Sequence, residues 1–166
     1  MAATRDIVVG VDGSQYGDAA IDFAVKNLVH GANERLHLVF AYTPLDSYVD
    51  LDDMGLIYAP SQADKDKAIE QARDILTRAT KRCLGDTPEI QVETHIIAGD
   101  ARVAIGELAE KLHATAVVVG CHGRAALARA VLGSTSTWLS HHCSRPVVIV
   151  RPEEEQAAES GADKSS

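Results

Sequence analysis

The chain has 166 residues, is 46% hydrophobic and carries a formal net charge of −8. Its length fits one domain with a two-sided core, and its charge argues against a nucleic-acid partner or an anionic membrane surface. The three cysteines are widely spaced, without a C-x-x-C pair, so neither a disulfide framework nor a zinc site is indicated. Because the chain starts without a signal-peptide pattern and contains no apolar run of membrane-spanning length, we expect a soluble, cytoplasmic protein.

The first half of the chain alternates predicted strands with predicted helices. Apolar runs over residues 5–11 and 35–42 predict two buried strands, and residues 18–29 between them place apolar side chains at helical spacing. A long acidic connection, residues 43–61, then leads to a second helix. The apolar face of that helix is formed by Ala68, Ala72, Ile75, Leu76, Ala79 and Cys83.

The second half continues this alternation. In residues 89–99 polar and apolar side chains first alternate, and the later positions are apolar, as in a strand near the edge of a sheet. Asp100 is the predicted N-cap of the next helix. A fourth strand over residues 114–120, a helix that ends near Cys143 and a fifth strand over residues 146–151 follow. The apolar stripe of the helix after Asp100 consists of Ala101, Ala104, Ile105, Leu108 and Leu112.

Strands that are continuously apolar and separated by helices predict a parallel sheet covered on both faces. We therefore predict a doubly wound α/β fold with five strands for one domain, residues 1–151. Residues 152–166 lack an apolar cluster and are predicted to form a disordered acidic tail. In such sheets ligands bind beyond the carboxyl ends of the strands, where the winding reverses.

The segment "GCHGRAALARAVLGSTS" follows the fourth strand and suits an anion. Gly120 permits close approach of a ligand, Gly123 is expected to adopt a positive φ, and Gly133 precedes a run of hydroxyl residues at a helix N-terminus. That run consists of Ser134, Thr135, Ser136 and Thr137. The segment predicts a phosphate cradle; the alternative is three turn glycines with an over-long cap.

Other polar residues have two interpretations each. Asp12 in "VDGS" can accept hydrogen bonds from two ribose hydroxyls, or it can be a turn residue. Cys121 is favoured as a buried filler over a redox-sensitive thiol. His141, His142 and Cys143 do not predict a metal site, since adjacent helical residues diverge by about 100°. We predict no catalytic residue and no metal ligand.

Three segments together resemble the universal stress protein family, of its nucleotide-binding type. They are "VGVDGS" at the first strand, "AGDARVAI" after the third and the Gly-x2-Gly-x9-Gly-Ser spacing after the fourth. The resemblance implies a Rossmann-like sheet with strand order 3-2-1-4-5. It also implies a homodimer, with the fifth strand, Pro146 to Arg151, as its interface. The implied ligand is ATP, with AMP and ADP as alternatives, and Mg²⁺ can be bound together with the nucleotide.

The resemblance also assigns the binding residues. Adenine and ribose would contact the ends of the first two strands, and the two halves of the glycine segment would hold ribose and phosphates. The implied contacts are Gly10, Val11, Asp12, Ala41, Gly120, His122, Gly123, Arg124, Gly133, Ser134, Thr135 and Ser136.

Three functional hypotheses follow. The favoured one is a stress-response protein in which bound ATP changes the binding of protein partners. The alternatives are a slow ATPase or autophosphorylating enzyme that uses the same pocket, and a scaffold without a ligand. The first is favoured because the pocket offers phosphate donors without an evident general base or metal-holding carboxylate.

Overall fold

The computed structural model describes residues 4–43, 61–85, 89–123 and 132–152. Most of the predicted acidic connection, Arg124 and the predicted tail beyond Pro152 lie outside the described residues. The strands are β1 (Arg5–Gly10), β2 (Glu34–Tyr42), β3 (Gln91–Ala98), β4 (Ala116–Gly120) and β5 (Val147–Val150). The helices are α1 (Gln15–Leu28), α2 (Gln62–Leu84), α3 (Ala101–Lys111) and α4 (Ser134–His142).

The described strands form one parallel sheet in the order β3-β2-β1-β4-β5. The predicted fold class and the strand order implied by the resemblance are therefore confirmed. β3 lies at one edge of this sheet, as its alternating sequence predicted. None of the helices in the described ranges is long and apolar enough to cross a membrane.

Helix boundaries follow from local capping. α1 begins three residues before its predicted start because Ser14 is the N-cap and its side chain accepts a hydrogen bond from the Gly17 N–H. α2 begins with a capping box between Ser61 and Asp64. Asp100 is the N-cap of α3, as predicted.

The sheet separates two apolar cores. On one face Ile7, Val9 and Leu38 pack with buried residues of α1 and α2. On the other face Val8, Val39 and the buried residues of α3 and α4 form the second core. Because both faces of the central strands are buried, their sequences are mostly continuous apolar runs.

The cap of α3 makes the stability of this helix depend on pH. A hydrogen bond from the Arg102 side chain holds the pKa of Asp100 below its ordinary value, and backbone N–H groups of the first turn act in the same direction. A carboxyl whose pKa is depressed in the folded state stabilises the fold above its unfolded-state pKa. That contribution is lost as the pH falls through the folded-state pKa.

We predict that Asp100→Ala lowers the free energy of unfolding by about 0.5–2 kcal/mol near neutral pH. The difference from wild type should shrink progressively as the pH falls below about 4, the ordinary pKa of an aspartate, and through the lower folded-state pKa of Asp100. Chemical denaturation at several pH values measures it. Asp74→Ala, at an exposed position inside α2, is the control and should not destabilise the fold. An equal loss for both variants would contradict the capping role.

Candidate nucleotide site

The predicted binding segments meet at the carboxyl edge of the sheet. β1 lies between β2 and β4, so the loops after β1 and β4 leave the sheet side by side where the winding reverses. A Cβ atom placed on Gly123 would lie 3.1 Å from Oδ2 of Asp12. The structure therefore brings together two residues that are far apart in the sequence, at the location where doubly wound sheets bind ligands.

The loop after β1 holds the Asp12 carboxylate in a fixed orientation. Oδ1 of Asp12 accepts hydrogen bonds from the Ser14 backbone N–H at 3.0 Å and from the Ser14 hydroxyl at 2.6 Å. Gly13 between them has a φ of 78°, a conformation that favours glycine. Oδ1 thus belongs to the turn, while Oδ2 points toward Gly123. This role of Ser14 was not predicted, although a serine before an amphipathic helix is a typical N-cap.

The loop after β4 closes onto the start of α4. The Gly133 N–H donates to the Cys121 carbonyl at 2.7 Å. The Ser136 hydroxyl is buried and donates to the carbonyls of Cys121 and Gly133, at 3.1 Å and 2.9 Å. The Ser136 side chain therefore holds the two ends of the glycine segment together, whereas Ser134 is exposed and Thr135 is half-buried.

The N-terminus of α4 has the properties of an anion site. Gly133 is its N-cap and has no side chain that could accept from the first N–H groups. The first turn contains no acidic residue. Helix N-termini carry unsatisfied N–H groups and the positive end of the helix dipole, so an anion beside Ser134 and Thr135 would be stabilised.

Two glycines of the segment lie close to other parts of the protein. Gly123 does not have a φ in the left-handed region, so the expected positive φ is wrong; the nearby Asp12 carboxylate instead restricts the space for a side chain there. At Gly120 an added Cβ atom would lie 2.6 Å from Cβ and 2.7 Å from the carbonyl carbon of Tyr16. Gly120 is therefore required for α1 to pack against the end of β4.

The remaining predicted contacts differ in whether they lie near the crevice or in the core. Val11 is 6% exposed and packs in the core beside α1 and α2, so its side chain does not face the crevice. Gly10 ends β1, and Ala41 is half-buried near the end of β2. His122 is half-buried, and its ring and the Tyr16 ring lie nearly perpendicular to each other with centroids 5.1 Å apart.

The cysteine and histidine side chains near the segment are buried or hydrogen-bonded within the protein. Cys121 is completely buried, which agrees with its interpretation as a filler. On α4, Nδ1 of His141 lies 2.8 Å from the Thr137 carbonyl and Nδ1 of His142 lies 2.9 Å from the Trp138 carbonyl. These two histidines are therefore engaged with the backbone of their own helix.

Comparison with known sequences identifies the family. The universal stress protein family model matches residues 3–151, so the chain belongs to the universal stress protein family. A universal stress protein of Mycolicibacterium smegmatis is 34% identical over 160 residues, which are 96% of this chain and 52% of the relative. Universal stress protein E of Escherichia coli is 27% identical over 147 residues, 85% of this chain and 44% of the relative. The chain thus spans about half the length of the curated relatives it matches.

Solved structures share the fold. Hypothetical protein MJ0577 superposes with a TM-score of 0.70 at 20% identity, covering 91% of this chain and 98% of the other. A universal stress protein in complex with cAMP has a TM-score of 0.61 at 24% identity, with 90% and 98% covered. A universal stress protein from Archaeoglobus fulgidus in complex with dAMP has a TM-score of 0.62 at 18% identity, with 90% and 98% covered.

The packing of Gly120 leads to a prediction that is independent of any ligand. Gly120→Ala should lower the melting temperature, by an amount corresponding to about 1–3 kcal/mol for overpacking, because the backbone of Tyr16 cannot move away easily. Calorimetric melting of the ligand-free protein measures it. Gly31→Ala is the control, since a Cβ atom there would meet no atom within 4 Å. A wild-type melting temperature for Gly120→Ala would show that α1 does not depend on this contact.

Proposed function

We propose that this protein binds an adenine nucleotide, ATP in the first instance, in the crevice between the loops after β1 and β4, and that nucleotide occupancy changes its binding to other proteins. The observation that carries the proposal is the placement of the Asp12 carboxylate beside Gly123. The uncapped N-terminus of α4 adjoins the same loop. A carboxylate suits ribose hydroxyls, and a helix N-terminus suits phosphates.

The nucleotide complexes of related structures support this proposal. One related universal stress protein is in complex with cAMP and another is in complex with dAMP. Both ligands combine adenine, a sugar and one phosphate, so the adenine nucleoside and its first phosphate are the shared recognition element. ATP, ADP and AMP all carry this element.

The residues divide between the parts of the nucleotide. Asp12 accepts from the ribose through Oδ2, and Ala41 offers a small apolar surface to the adenine. The backbone N–H groups at Gly123, Ser134 and Thr135 hold the phosphates. His122 offers a hydrogen-bond donor on the phosphate side, and the charge of Arg124, which lies outside the described residues, is proposed to act there as well.

Binding rather than rapid turnover fits these residues best. The Asp12 carboxylate already accepts two hydrogen bonds from Ser14 through Oδ1, which suits a rigid recognition group better than a general base. Efficient phosphoryl transfer needs a group that orients the attacking oxygen, together with metal ligands at the terminal phosphate. We therefore assign the site to nucleotide recognition, with Mg²⁺ entering as part of the nucleotide complex.

The phosphate side of the site is tested by Ser134→Glu. A glutamate in the first turn interacts favourably with the helix dipole, so the fold should keep or gain stability. The same carboxylate repels phosphates and occupies their place. Calorimetric titration should show ATP affinity reduced by about ten-fold to a hundred-fold, the range expected for one hydrogen bond to a charged group, with adenosine affinity unchanged.

The control for Ser134→Glu is Asn33→Asp. It changes the charge by the same amount at an exposed turn before β2, at the opposite edge of the sheet, and should bind ATP as wild type does. If Ser134→Glu binds ATP with wild-type affinity, the phosphates do not lie at the N-terminus of α4. Loss of adenosine binding as well would indicate a general disturbance of the crevice.

We also propose that β5 forms a homodimer interface. β5 lies at an edge of the described sheet, and such edges present unpaired backbone groups to other chains. The carbonyls of Pro146 and Val150 face β4, where they accept from Val117 and Cys121. By the two-residue alternation of a strand, the N–H of Ile149 points toward the open side. Pairing of two copies about a two-fold axis would satisfy it.

Ile149→Pro should convert the dimer into a monomer. Proline removes the N–H that faces the open edge and leaves the ladder to β4 intact. Light scattering at tens of micromolar protein measures the change. Ile149→Val keeps the N–H and should remain dimeric. A monomeric wild type, or a dimeric Ile149→Pro that retains its fold by circular dichroism, would overturn this interface.

A further inference from the structure

Polar side chains from three neighbouring strands gather on the α3 side of the sheet, away from the nucleotide crevice. Register places His37 of β2 opposite Val8 of β1 and opposite Glu93 of β3. Glu93 and His95 project from the same face of β3, since side chains alternate along a strand. His37 lies four residues before Ala41, about 13 Å along the strand. The cluster therefore lies in the amino-terminal half of the sheet.

His37 is completely buried and has a partner for each ring nitrogen. Its Nε2 lies 2.9 Å from Oδ1 of Asp6, and its Nδ1 lies 2.9 Å from Nε2 of His95. Because Nε2–H of His37 donates to the Asp6 carboxylate, Nδ1 of the neutral ring carries a lone pair that points at His95. The proton between the two rings then belongs to Nε2 of His95.

Carboxylates complete the cluster. Oε2 of Glu93 lies 3.5 Å from Nδ1 of His37. Arg35 binds Oε1 of Glu93 at 2.9 Å and Oδ1 of Asp6 at 2.8 Å. Burial raises the pKa of the Asp6 carboxyl, but hydrogen bonds from Arg35 and His37 outweigh this and hold that pKa below its ordinary value. Oδ1 of Asp6 therefore faces both Arg35 and Nε2 of His37, on the side of the His37 ring away from His95.

We propose that His37, His95 and Glu93 form a binding site for a divalent transition-metal ion of the Zn²⁺ type. Their ligand atoms are Nδ1 of His37, Nε2 of His95 and a carboxylate oxygen of Glu93, which all lie within 4.8 Å of one another. Two imidazoles and one carboxylate are a ligand set found in sites that keep open coordination positions.

The distances fit such an ion. Two ligand atoms that each lie about 2.0–2.1 Å from a tetrahedral centre are separated by about 3.3 Å. The observed separations of 2.9 Å between the two histidine nitrogens and 3.5 Å between His37 and Glu93 lie on either side of this value. Binding requires the rings to open by a few tenths of an ångström, and Nε2 of His95 and the Glu93 carboxylate, which lie within 4.8 Å of each other, to reach a similar separation. The proton on Nε2 of His95 moves to Nδ1 of that ring, so each facing nitrogen presents a lone pair.

The surroundings supply what a metal site needs beyond its ligands. A metal-bound histidine usually donates its other N–H to a carboxylate, which orients the ring and increases its basicity; Asp6 does this for His37. The negative charges of Asp6 and Glu93 face the positive charge of Arg35, and the positive charge of Lys111 also acts on His95, so affinity for a cation would come from the ligand atoms and not from an excess of negative charge. Glu93 is 48% exposed, so the ion can enter from solvent and a water can occupy an open position.

Zn²⁺ and Co²⁺ binding to the tag-free, EDTA-treated full chain tests the proposal. Titration of Zn²⁺ against a chromogenic chelator should give one ion per chain with a dissociation constant in or below the micromolar range. Co²⁺ should produce the visible absorption of a tetrahedral or five-coordinate complex, and one equivalent of Zn²⁺ should abolish it. Zn²⁺ should also raise the melting temperature, because binding to the folded state stabilises it.

The variants separate this site from surface binding. His95→Gln is on a half-exposed edge strand and should fold, yet it should lose Co²⁺ absorption and at least about ten-fold to a hundred-fold in Zn²⁺ affinity, the range that even outer-shell changes reach. Asp6→Asn, which weakens the orientation of His37 and the ion pair with Arg35, should lose affinity within that range. His142→Gln, on exposed α4, is the matched control and should bind as wild type does.

Three results would overturn the proposal: no stoichiometric Zn²⁺ binding to wild type, unchanged affinity in His95→Gln, or lost affinity in His142→Gln. In the first case the cluster only provides hydrogen-bond partners for the buried His37 ring. The outcome is independent of the proposed nucleotide site, because ATP titration of His95→Gln reports on the crevice separately and should match wild type.

Discussion

The two-sided pairing of β1 is the constraint on which the rest of the structure depends. β1 hydrogen-bonds to β2 on one side and to β4 on the other, and Ile7, Val8 and Val9 are almost completely buried between helices on both faces. The chain must therefore wind outward from β1 in two directions, first through β2 and β3 and later through β4 and β5. The crevice between the loops after β1 and β4 is a direct consequence of this reversal.

Several residues of the glycine segment serve packing as well as any ligand. Gly120 lets α1 approach the end of β4, and the Ser136 hydroxyl binds the carbonyls at both ends of the segment. These contacts hold the start of α4 beside Cys121 and His122, and no side chain caps the first N–H groups of the helix. A preformed site of this kind loses less conformational entropy when a ligand binds, so these packing contacts favour the proposed binding of a phosphate at this loop.

The buried histidine of β2 shows how a polar group is accommodated in an otherwise apolar strand. An unpaired imidazole in this core would be costly, because its two nitrogens would lose their hydrogen bonds to water. Asp6 and His95 provide both partners, and Arg35 connects Asp6 with Glu93. The polar cluster thus occupies the α3 side of β2 and β3 near their amino-terminal ends, while the crevice lies at the opposite end of the sheet.

The sequence by itself determined the α/β class, the order of the elements and the cap at Asp100, because apolar periodicity and capping act within a few residues of the chain. A cap formed by the serine and threonine run was wrongly expected before α4: the run lies inside the helix, and the N-cap is Gly133 without a side-chain cap. Its resemblance to one family also led to the strand order. The tertiary structure decided which atoms face the crevice: Val11 turns into the core, Ser136 turns toward the loop backbone, and Gly123 does not need a left-handed conformation. It also joined His37 to a histidine 58 residues away. Strand register, which depends on the packing of the whole sheet, selects such partners, and no local pattern of residues encodes it.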